Sequence, residues 1–507
     1  MLLADVVTAS REVAATRSRK AKVEILAACL AQAQPEEREI AASYLAGSLL
    51  QRRTGLGWRG VSTLPEPAEA PMLTLAEVHD HFERLSVLAG PGSQHARATL
   101  VQDLFGRATA AEQPWLRGVV TGAVRQGALE ALLQEAVAKA ADVPLAAVRR
   151  AAMLAGGTVP VVATAFEKGE PGLADVGLEV LRPVLPMLAA SAPDIEAALD
   201  KAGPDPVAVE TKLDGIRIQV HRLDDEVVIA TRSLDDITAR LPEVVQVARS
   251  LPSREFVLDG EALALDESGR PRAFQETASR TAQAAGVAVT PYFFDVLRVD
   301  DRDLLDATGT QRQEVLAALV PERWRVPRVV TADAADAATF LRDAIAAGHE
   351  GVVVKSLAAP YAAGRRGAGW IKVKPVHTLD LVVLAIEWGS GRREGWLSNI
   401  HLGARDAATG ELVMLGKTFK GMTDEMLAWQ TERFTELALD PGTIRDHYVV
   451  PVHPVQVVEI AFDGVQRSGR YPGGVALRFA RVLRYRDDKA VDGIDTLDTV
   501  RGFLPGA

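Results

Sequence analysis

The hydrophobic period changes once along the chain, and that change fixes what the chain can fold into. Up to about residue 165, apolar residues recur at helical spacing. In GALEALLQEAVAKAA, Leu129, Leu132, Leu133, Ala136, Val137 and Ala140 share one helical face. Asp142 and Pro144 then end that helix and start another. GLGWRG near 55–60 and GPGSQ near 90–95 read as turns. From residue 187 the period shortens to two. EFVLDGEALAL, PYFFDVLRV, EGVVVKS and WIKVKP predict strands, with helices interspersed, as far as residue 376. DLVVLAIEW, SNIHLGAR, LVMLGKTFK, VQVVEIAF and LRFARVLRY predict five more. Five short strands in about 130 residues suit a small Greek-key barrel of the OB type. FEKGEPGLADVGLEVLRPVLP, at 166–186, mixes glycine, proline and charge and reads as a connection. The expectation is a multidomain chain: an α-helical domain over 1–170, a linker over 171–186, an α+β domain over 187–376 and a β OB-fold barrel over 377–507. A chain of 507 residues is too long for one core.

Composition excludes several classes. Apolar residues make up 48% and charged residues 24%, the balance of a globular protein. No apolar run reaches bilayer length, so no membrane is expected as a partner. Asp5 and Arg11 interrupt the N-terminal stretch, which does not read as a signal peptide. The single cysteine, Cys29, excludes internal disulfides and cysteine-built zinc sites. Within ILAACLA it reads as a packed, inert thiol, and a reducing cytoplasm fits. A net charge of −10 speaks against a basic coat protein but leaves room for a local basic groove.

Positive charge is distributed unevenly between its two residue types. Of the 57 basic residues only 12 are lysines, and seven of these fall between 212 and 489 in short motifs flanked by glycine or aromatic residues. Arginine stays protonated, whereas lysine can lose its proton and attack. A lysine in such a chain is a candidate for chemistry.

Lys212 is the first of these. VETKLDGIRIQVHR places it between two alternating runs, and Asp214-Gly215 predicts a tight hairpin in which glycine supplies a positive φ. Taken alone, Lys-x-Asp-Gly is a surface hairpin with a solvated lysine. In FVLDGE, Asp259 and Glu261 share a strand face with Val257 and repel one another unless a cation or polar ligand lies there. Taken alone, this is an exposed strand edge. Tyr292-Phe293-Phe294-Asp295 is a core strand or an aromatic platform for a base. His349-Glu350-Gly351 is a turn into a buried strand, or it offers Glu350 as a metal ligand or orienting carboxylate. Lys372 and Lys374 lie on one strand face, where their repulsion calls for a polyphosphate. Arg478 to Lys489 is a solvated charge run or a phosphate contact.

Each bland reading holds singly, but the ordered set over 210–374 does not occur by chance. It resembles the covalent nucleotidyltransferases, the ATP-dependent DNA ligases and capping enzymes. RFARVLRYRDDK is similar to the terminal motif of DNA ligases, and LRPVLPMLA to the entry of their nucleotidyltransferase domain. TGAVRQGALEALL and RRTGLGW are similar to segments of the ligases' helical DNA-binding domain. The whole resembles three-domain bacterial ligases of the mycobacterial ligase B type. One departure is Ala480, where many ligases carry proline.

The resemblance implies nick sealing in three steps through a lysyl-AMP on Lys212, in DNA replication, repair or recombination. ATP would be the AMP donor, Mg²⁺ (or Mn²⁺) the metal, and nicked duplex DNA the partner of a monomeric, cytoplasmic enzyme used at the nucleoid. It implies that Glu210 contacts the adenine side and that Arg217 and Arg232 reach ribose or phosphate. Glu261 would serve ribose or metal, Phe294 would stack on adenine and Glu350 would hold metal. Arg366, Lys372 and Lys374 would bind phosphate, and the field of the two lysines would favour the neutral, attacking form of Lys212. Arg478, Arg481 and Lys489 would orient the leaving pyrophosphate. An RNA ligase or a GTP-using capping enzyme shares the Lys-x-Asp-Gly core but lacks such a helical block. A non-catalytic DNA-binding scaffold would not need Lys212. An NAD-dependent ligase would need a four-cysteine zinc module.

Overall fold

A computed structural model of the protein describes residues 1–51, 53–124, 130–272, 274–282, 286–362, 366–390 and 393–504. The chain divides into two compact units, Met1–Pro186 and Met187–Ala507.

The first unit is helical, from Leu3–Ala15 to Val162–Ala174. Leu3, Val6, Leu26, Leu30, Tyr44, Phe82 and Phe105 lie in one buried core. Its helices start where the sequence offers caps. Thr74 accepts from the Glu77 N–H at 3.2 Å, and Glu77 accepts from the Thr74 N–H at 2.9 Å. Leu132, Leu133, Ala136 and Val137 are the buried face of helix Glu130–Ala140, as the spacing predicts; Leu129 lies outside the described residues. Cys29 is buried, and burial pushes its thiol up to about 12, so it is inert. The expected linker over 171–186 is helical only to Ala174 and irregular beyond it. Helix Val162–Ala174 continues through a kink at Gly169 (φ 61°), and Leu173, Leu178 and Val184 are buried. The Leu185 N–H donates to the Met153 carbonyl at 3.2 Å, so this segment is packed onto the helical unit. Its glycines and prolines bend it, but its leucines and valines have core to bury.

The second unit begins with ten strands. They are β1 (Leu188–Ala192), β2 (Val207–Lys212), β3 (Ile216–Leu223), β4 (Glu226–Thr231) and β5 (Glu255–Ala264). β6 (Val289–Val299), β7 (Arg302–Asp303), β8 (Arg328–Thr331), β9 (Gly351–Ser356) and β10 (Arg366–Val373) follow. They form two sheets, in the orders β1-β10-β9-β2-β8 and β4-β3-β5-β6-β7. Helices Ile195–Ala202 and Ala334–Ala346 cover the first sheet through Ile195, Ala198, Ala337 and Ala344. Helices Pro242–Ser250 and Gly309–Leu319 cover the second through Val244, Ala248, Leu316 and Leu319.

The predicted Lys212–Gly215 hairpin is overturned. β2 belongs to the first sheet and β3 to the second, and the two are not paired. The segment between them is a crossing. Leu213 plugs it, packed with Leu263 and Val326. Gly215 has no positive φ; it is needed because a Cβ there would meet the Ala262 carbonyl oxygen at 2.3 Å. Asp-Gly between alternating runs therefore marks a close approach of two backbones here, not a tight turn.

The remaining strands are β11 (His377–Trp388), β12 (Leu397–Arg405), β13 (Leu412–Thr418) and β14 (Val449–Pro451), then β15 (Val457–Phe462), β16 (Gly464–Arg467), β17 (Val475–Arg478) and β18 (Arg481–Arg486). Their main sheet runs β13-β12-β11-β15-β18, with β14 also on β11 and β16 paired to β17. The Val482 N–H donates to the Lys420 carbonyl at 2.9 Å, and Thr418 Oγ1 donates to the Ala480 carbonyl at 2.6 Å. These two bonds join the outer strands, and the sheet fits the expected OB barrel. Phe479, beside the Ala480 departure, sits at φ 55°.

The crossing gives a stability test. Gly215→Ala is expected to destabilise the second unit by about 2 kcal/mol or more, because backbone cannot yield as a flexible side chain does. Gly177→Ala, in open space, is the control. Chemical denaturation that finds the two variants equally stable would overturn the close-approach argument.

Candidate active site

A cleft opens between the two sheets. The first sheet lines it with Leu188 and Ala189 (β1), Glu210, Thr211 and Lys212 (β2), Val353 and Lys355 (β9), and Trp370 and Lys372 (β10). The crossing segment and the second sheet add Leu213, Arg217, Arg232, Glu261 and Phe294. The period of two on β2 turns Glu210 and Lys212 to the same face. Because β2 ends in the crossing, Lys212 is its last residue.

Lys212 Nζ donates to Glu350 Oε2. The backbone aligns the pair, since the Glu350 N–H donates to the Lys212 carbonyl at 3.1 Å. Gly351 follows Glu350 at φ 142°, where a Cβ would meet the Val373 carbonyl oxygen at 2.3 Å. Glu350 Oε1 also accepts from Lys374 Nζ at 2.8 Å, and Lys374 reaches Asp463 Oδ2 of the barrel at 2.6 Å. Burial alone would raise the Glu350 carboxyl; the Lys212 and Lys374 ammonium groups overcome it and hold the carboxyl below its usual range. Asp214, two residues past Lys212, takes a bidentate pair from Arg478 of the barrel at 2.5 and 3.1 Å.

At the other end of the cleft Lys355 Nζ pairs with Glu210 Oε2 at 2.6 Å. The same ammonium lies 4.5 Å from the Phe294 ring centre and 4.2 Å from that of Trp370. The two rings meet edge to face at 5.8 Å. Burial drives the Glu210 carboxyl upward, with Lys355 opposing. This is an aromatic platform with a carboxylate acceptor beside it, suited to a nucleobase.

The paired acids of FVLDGE find the expected cation. Arg217 donates to both Asp259 oxygens at 2.8 and 2.6 Å and to the Met187 carbonyl at 3.1 Å. Tyr361 Oη donates to Asp259 at 2.5 Å and accepts from the Met187 N–H at 3.0 Å. Most of the Arg217 guanidinium is committed, and it stacks 5.0 Å from the Phe294 ring centre. Glu261 remains open to the cleft. Burial pushes its carboxyl up to about 7, with Arg217 and Lys212 opposing.

Seven of the residues singled out by sequence thus line one cleft: Glu210, Lys212, Arg217, Arg232, Glu261, Phe294 and Lys372. Glu350 and Lys374 stand beside it through the Lys212 pair. The side chain of Arg366 lies outside the described residues. Arg481 approaches Asp463 at 3.5 Å. Lys489 is elsewhere, bonded to Asp380 at 2.7 Å and bordering a separate cleft with Trp429 and Arg433.

Comparison with known proteins agrees with this geometry. Residues 186–374 match the model of the ATP dependent DNA ligase domain, 393–489 that of the ATP dependent DNA ligase C terminal region, and 45–138 that of the DNA ligase N terminus. A "Probable DNA ligase" of Nocardioides sp. is 70% identical over 99% of both chains. Another, from Mycolicibacterium gilvum, is 56% identical over 99% of both. The chain belongs to the ATP-dependent DNA ligase family. A solved structure named Pmar-Lig_PreS3 shares the fold, with a TM-score of 0.63 at 18% identity over 95% of this chain and 99% of that one.

Four residues to which the sequence of this ligase assigns no role contact the site side chains. Lys355 is the next-to-last residue of EGVVVKS, and a lysine inside an apolar strand of a lysine-poor chain is the available signal. Trp370 was quoted in its motif but given no role. Tyr361 and Asp463 act on residues distant in sequence, and nothing local announces them.

Glu261 supplies a pH test. Its folded carboxyl binds a proton more tightly than the unfolded one. Its contribution to stability is therefore complete below the ordinary carboxylate range and is lost as pH rises through about 7. Glu261→Gln removes that loss. Relative to wild type, the variant should gain on the order of 1–2 kcal/mol between acid and mildly alkaline pH, the open cleft screening part of the full shift. Parallel stability–pH curves from denaturant melts would refute it.

Proposed function

We propose that the protein seals nicks in duplex DNA through a covalent adenylate on Lys212. The observation that supports this best is Lys212 at the end of a cleft whose other end is an aromatic and carboxylate platform. The base lies against Phe294, with Glu210 accepting from its exocyclic amine. The α-phosphate then lies towards Lys212, among Lys372, Lys374 and Arg232.

Lys212 is an ammonium while it donates to Glu350. For attack the pair must open and the proton be lost to solvent or a phosphate oxygen. The neutral amine then forms an N–P bond to the α-phosphorus as the P–O bond to pyrophosphate breaks. AMP passes to the 5′-phosphate of the nick, breaking the N–P bond and returning the amine. The 3′-hydroxyl displaces AMP and forms the phosphodiester. Fixed cations around the phosphates stabilise the charge that accumulates.

Glu261 and Glu350 offer the hard oxygen donors that Mg²⁺ or Mn²⁺ takes. Among the described residues no three acidic, histidine or cysteine side chains form a cage, which suits a cation held by one or two carboxylates plus substrate phosphates. When bound, it would neutralise phosphate charge. Arg478 and Arg481 stand at the barrel side of the Lys212 network, ready to meet pyrophosphate. Lys489 has that role only if the barrel turns. The helical unit carries the DNA-binding role, and the enzyme works as a cytoplasmic monomer at the nucleoid. An RNA ligase or GTP-using capping enzyme is the second reading; the Glu210 acceptor favours adenine, whose 6-position donates, over guanine, whose 6-position accepts.

Two measurements test this. ATP labelled at the α-phosphate should leave an acid-labile label on the protein, γ-labelled ATP none, and Lys212→Arg should abolish labelling. Preferential labelling by GTP, or labelling that survives Lys212→Arg, would overturn the assignment. Separately, affinity for nicked duplex should fall steeply with salt, because contacts to backbone phosphate release counterions. A flat response between low and moderate salt would count against phosphate-led binding.

A further inference from the structure

Behind the base-binding end of the cleft lies a second cavity of about 290 Å³. Glu210 and Phe294 line both spaces and form the wall between them. The far side carries Gln313, Arg325 and Arg328, together with the carboxylate of Glu322. Gln313 Nε2 donates to the Phe294 carbonyl at 2.8 Å, and its Oε1 accepts from Arg328 Nη1, so the wall is held from behind. Arg325 differs. Its Nε is buried and has no hydrogen-bond partner among the described residues. A buried donor left unmade is costly and calls for an acceptor. The space is several times the roughly 30 Å³ of one water, and its walls mix apolar side chains such as Leu316 and Val326 with the polar ones.

We propose that this cavity is an annex of the nucleotide site, which takes a short arm carrying a hydrogen-bond acceptor on the exocyclic amine of adenine. The proposal rests on the adenylation reading above. Under that reading Glu210 faces the amine, and Glu210 is also the residue that borders the annex. An arm on the amine passes beside Glu210 and offers its carboxylate or hydroxyl to Arg325. An arm on C8, at the far edge of the same base, would point away from the annex. The ligand class is therefore adenosine triphosphates modified at N6 with a small acidic or hydroxylated group.

Intact-mass measurement of the nucleotidylated protein decides it. The probes are ATP, N6-carboxymethyl-ATP and ATP bearing the same arm on C8. Wild type should form the N6-modified adduct at a rate within about tenfold of ATP, and the C8-modified one at least tenfold more slowly than the N6-modified one. Arg325→Leu should slow the N6-modified reaction by about tenfold, the size of one charge-assisted hydrogen bond, and leave the ATP reaction within about twofold. Arg325→Lys, which keeps a cationic donor, should recover part of the loss. An N6-modified reaction more than tenfold slower than ATP in wild type, or equal losses for both nucleotides in Arg325→Leu, overturns the annex. An adduct from ATP without one from the N6 analogue sinks the annex alone. No adduct from ATP sinks the adenylation reading and this proposal with it.

Discussion

The close passage of Gly215 against the Ala262 carbonyl is the constraint from which the rest of the site follows. It lets one chain leave the middle of the first sheet and enter the second within three residues. Two sheets that are joined in this way diverge from a shared seam, and the divergence is the cleft. Lys212 stands at the seam because it is the last residue that can still pair in the first sheet. Arg217 stands across from it because it is the second residue of the next strand. A side chain larger than hydrogen at Gly215 would separate the two backbones and so move Lys212 relative to the groups that face it.

The seam also explains why so many of the site's charges come in opposed pairs. Lys212, Glu350, Lys374, Asp463 and Arg481 alternate in sign from the cleft to the barrel, each in contact with the next. Cations gathered for phosphates repel one another when no phosphate is there. The carboxylates between them offset that repulsion in the free protein. Glu350 is the clearest case, since both its oxygens are taken by lysines that the proposed chemistry needs elsewhere. Arginine suits a fixed pair such as Arg217 with Asp259, because its planar fork holds a carboxylate at two points. Lysine is kept for positions where the partner must change.

Periodicity made most of the fold legible. The helical face at 132–137, the paired acids on β5 and four of the five quoted barrel strands follow from apolar spacing alone, because a buried face imposes its period on the sequence; LRFARVLRY is instead split at Phe479 into β17 and β18, which lie in different sheets. What failed was connection. Val207–Lys212 and Ile216–Leu223 carry the same alternation whether they pair with each other or join different sheets, and Asp-Gly serves both. Only the Ala262 carbonyl, forty-seven residues from Gly215, distinguishes the two cases. Over 171–186 the turn residues are visible in the sequence, but Leu173 and Val184 are buried in contacts that the composition does not reveal.

The site was legible where a residue acts by its own chemistry and hidden where it acts through another. Lys212 announces itself as a rare lysine in a motif, and Phe294 as an aromatic before an acid. Tyr361 does not, although its hydroxyl ties Asp259 to the first residue of the second unit and so fixes the Arg217 guanidinium over Phe294. Its importance comes from distance in sequence: 174 residues separate it from Met187 and 102 from Asp259. A hydrogen bond of that span leaves no periodic trace, because it constrains one atom rather than a face. The same holds for Asp463, whose barrel carboxylate meets Lys374 only once two separately patterned sheets have come together. Positioning residues of this kind become visible only from the folded chain.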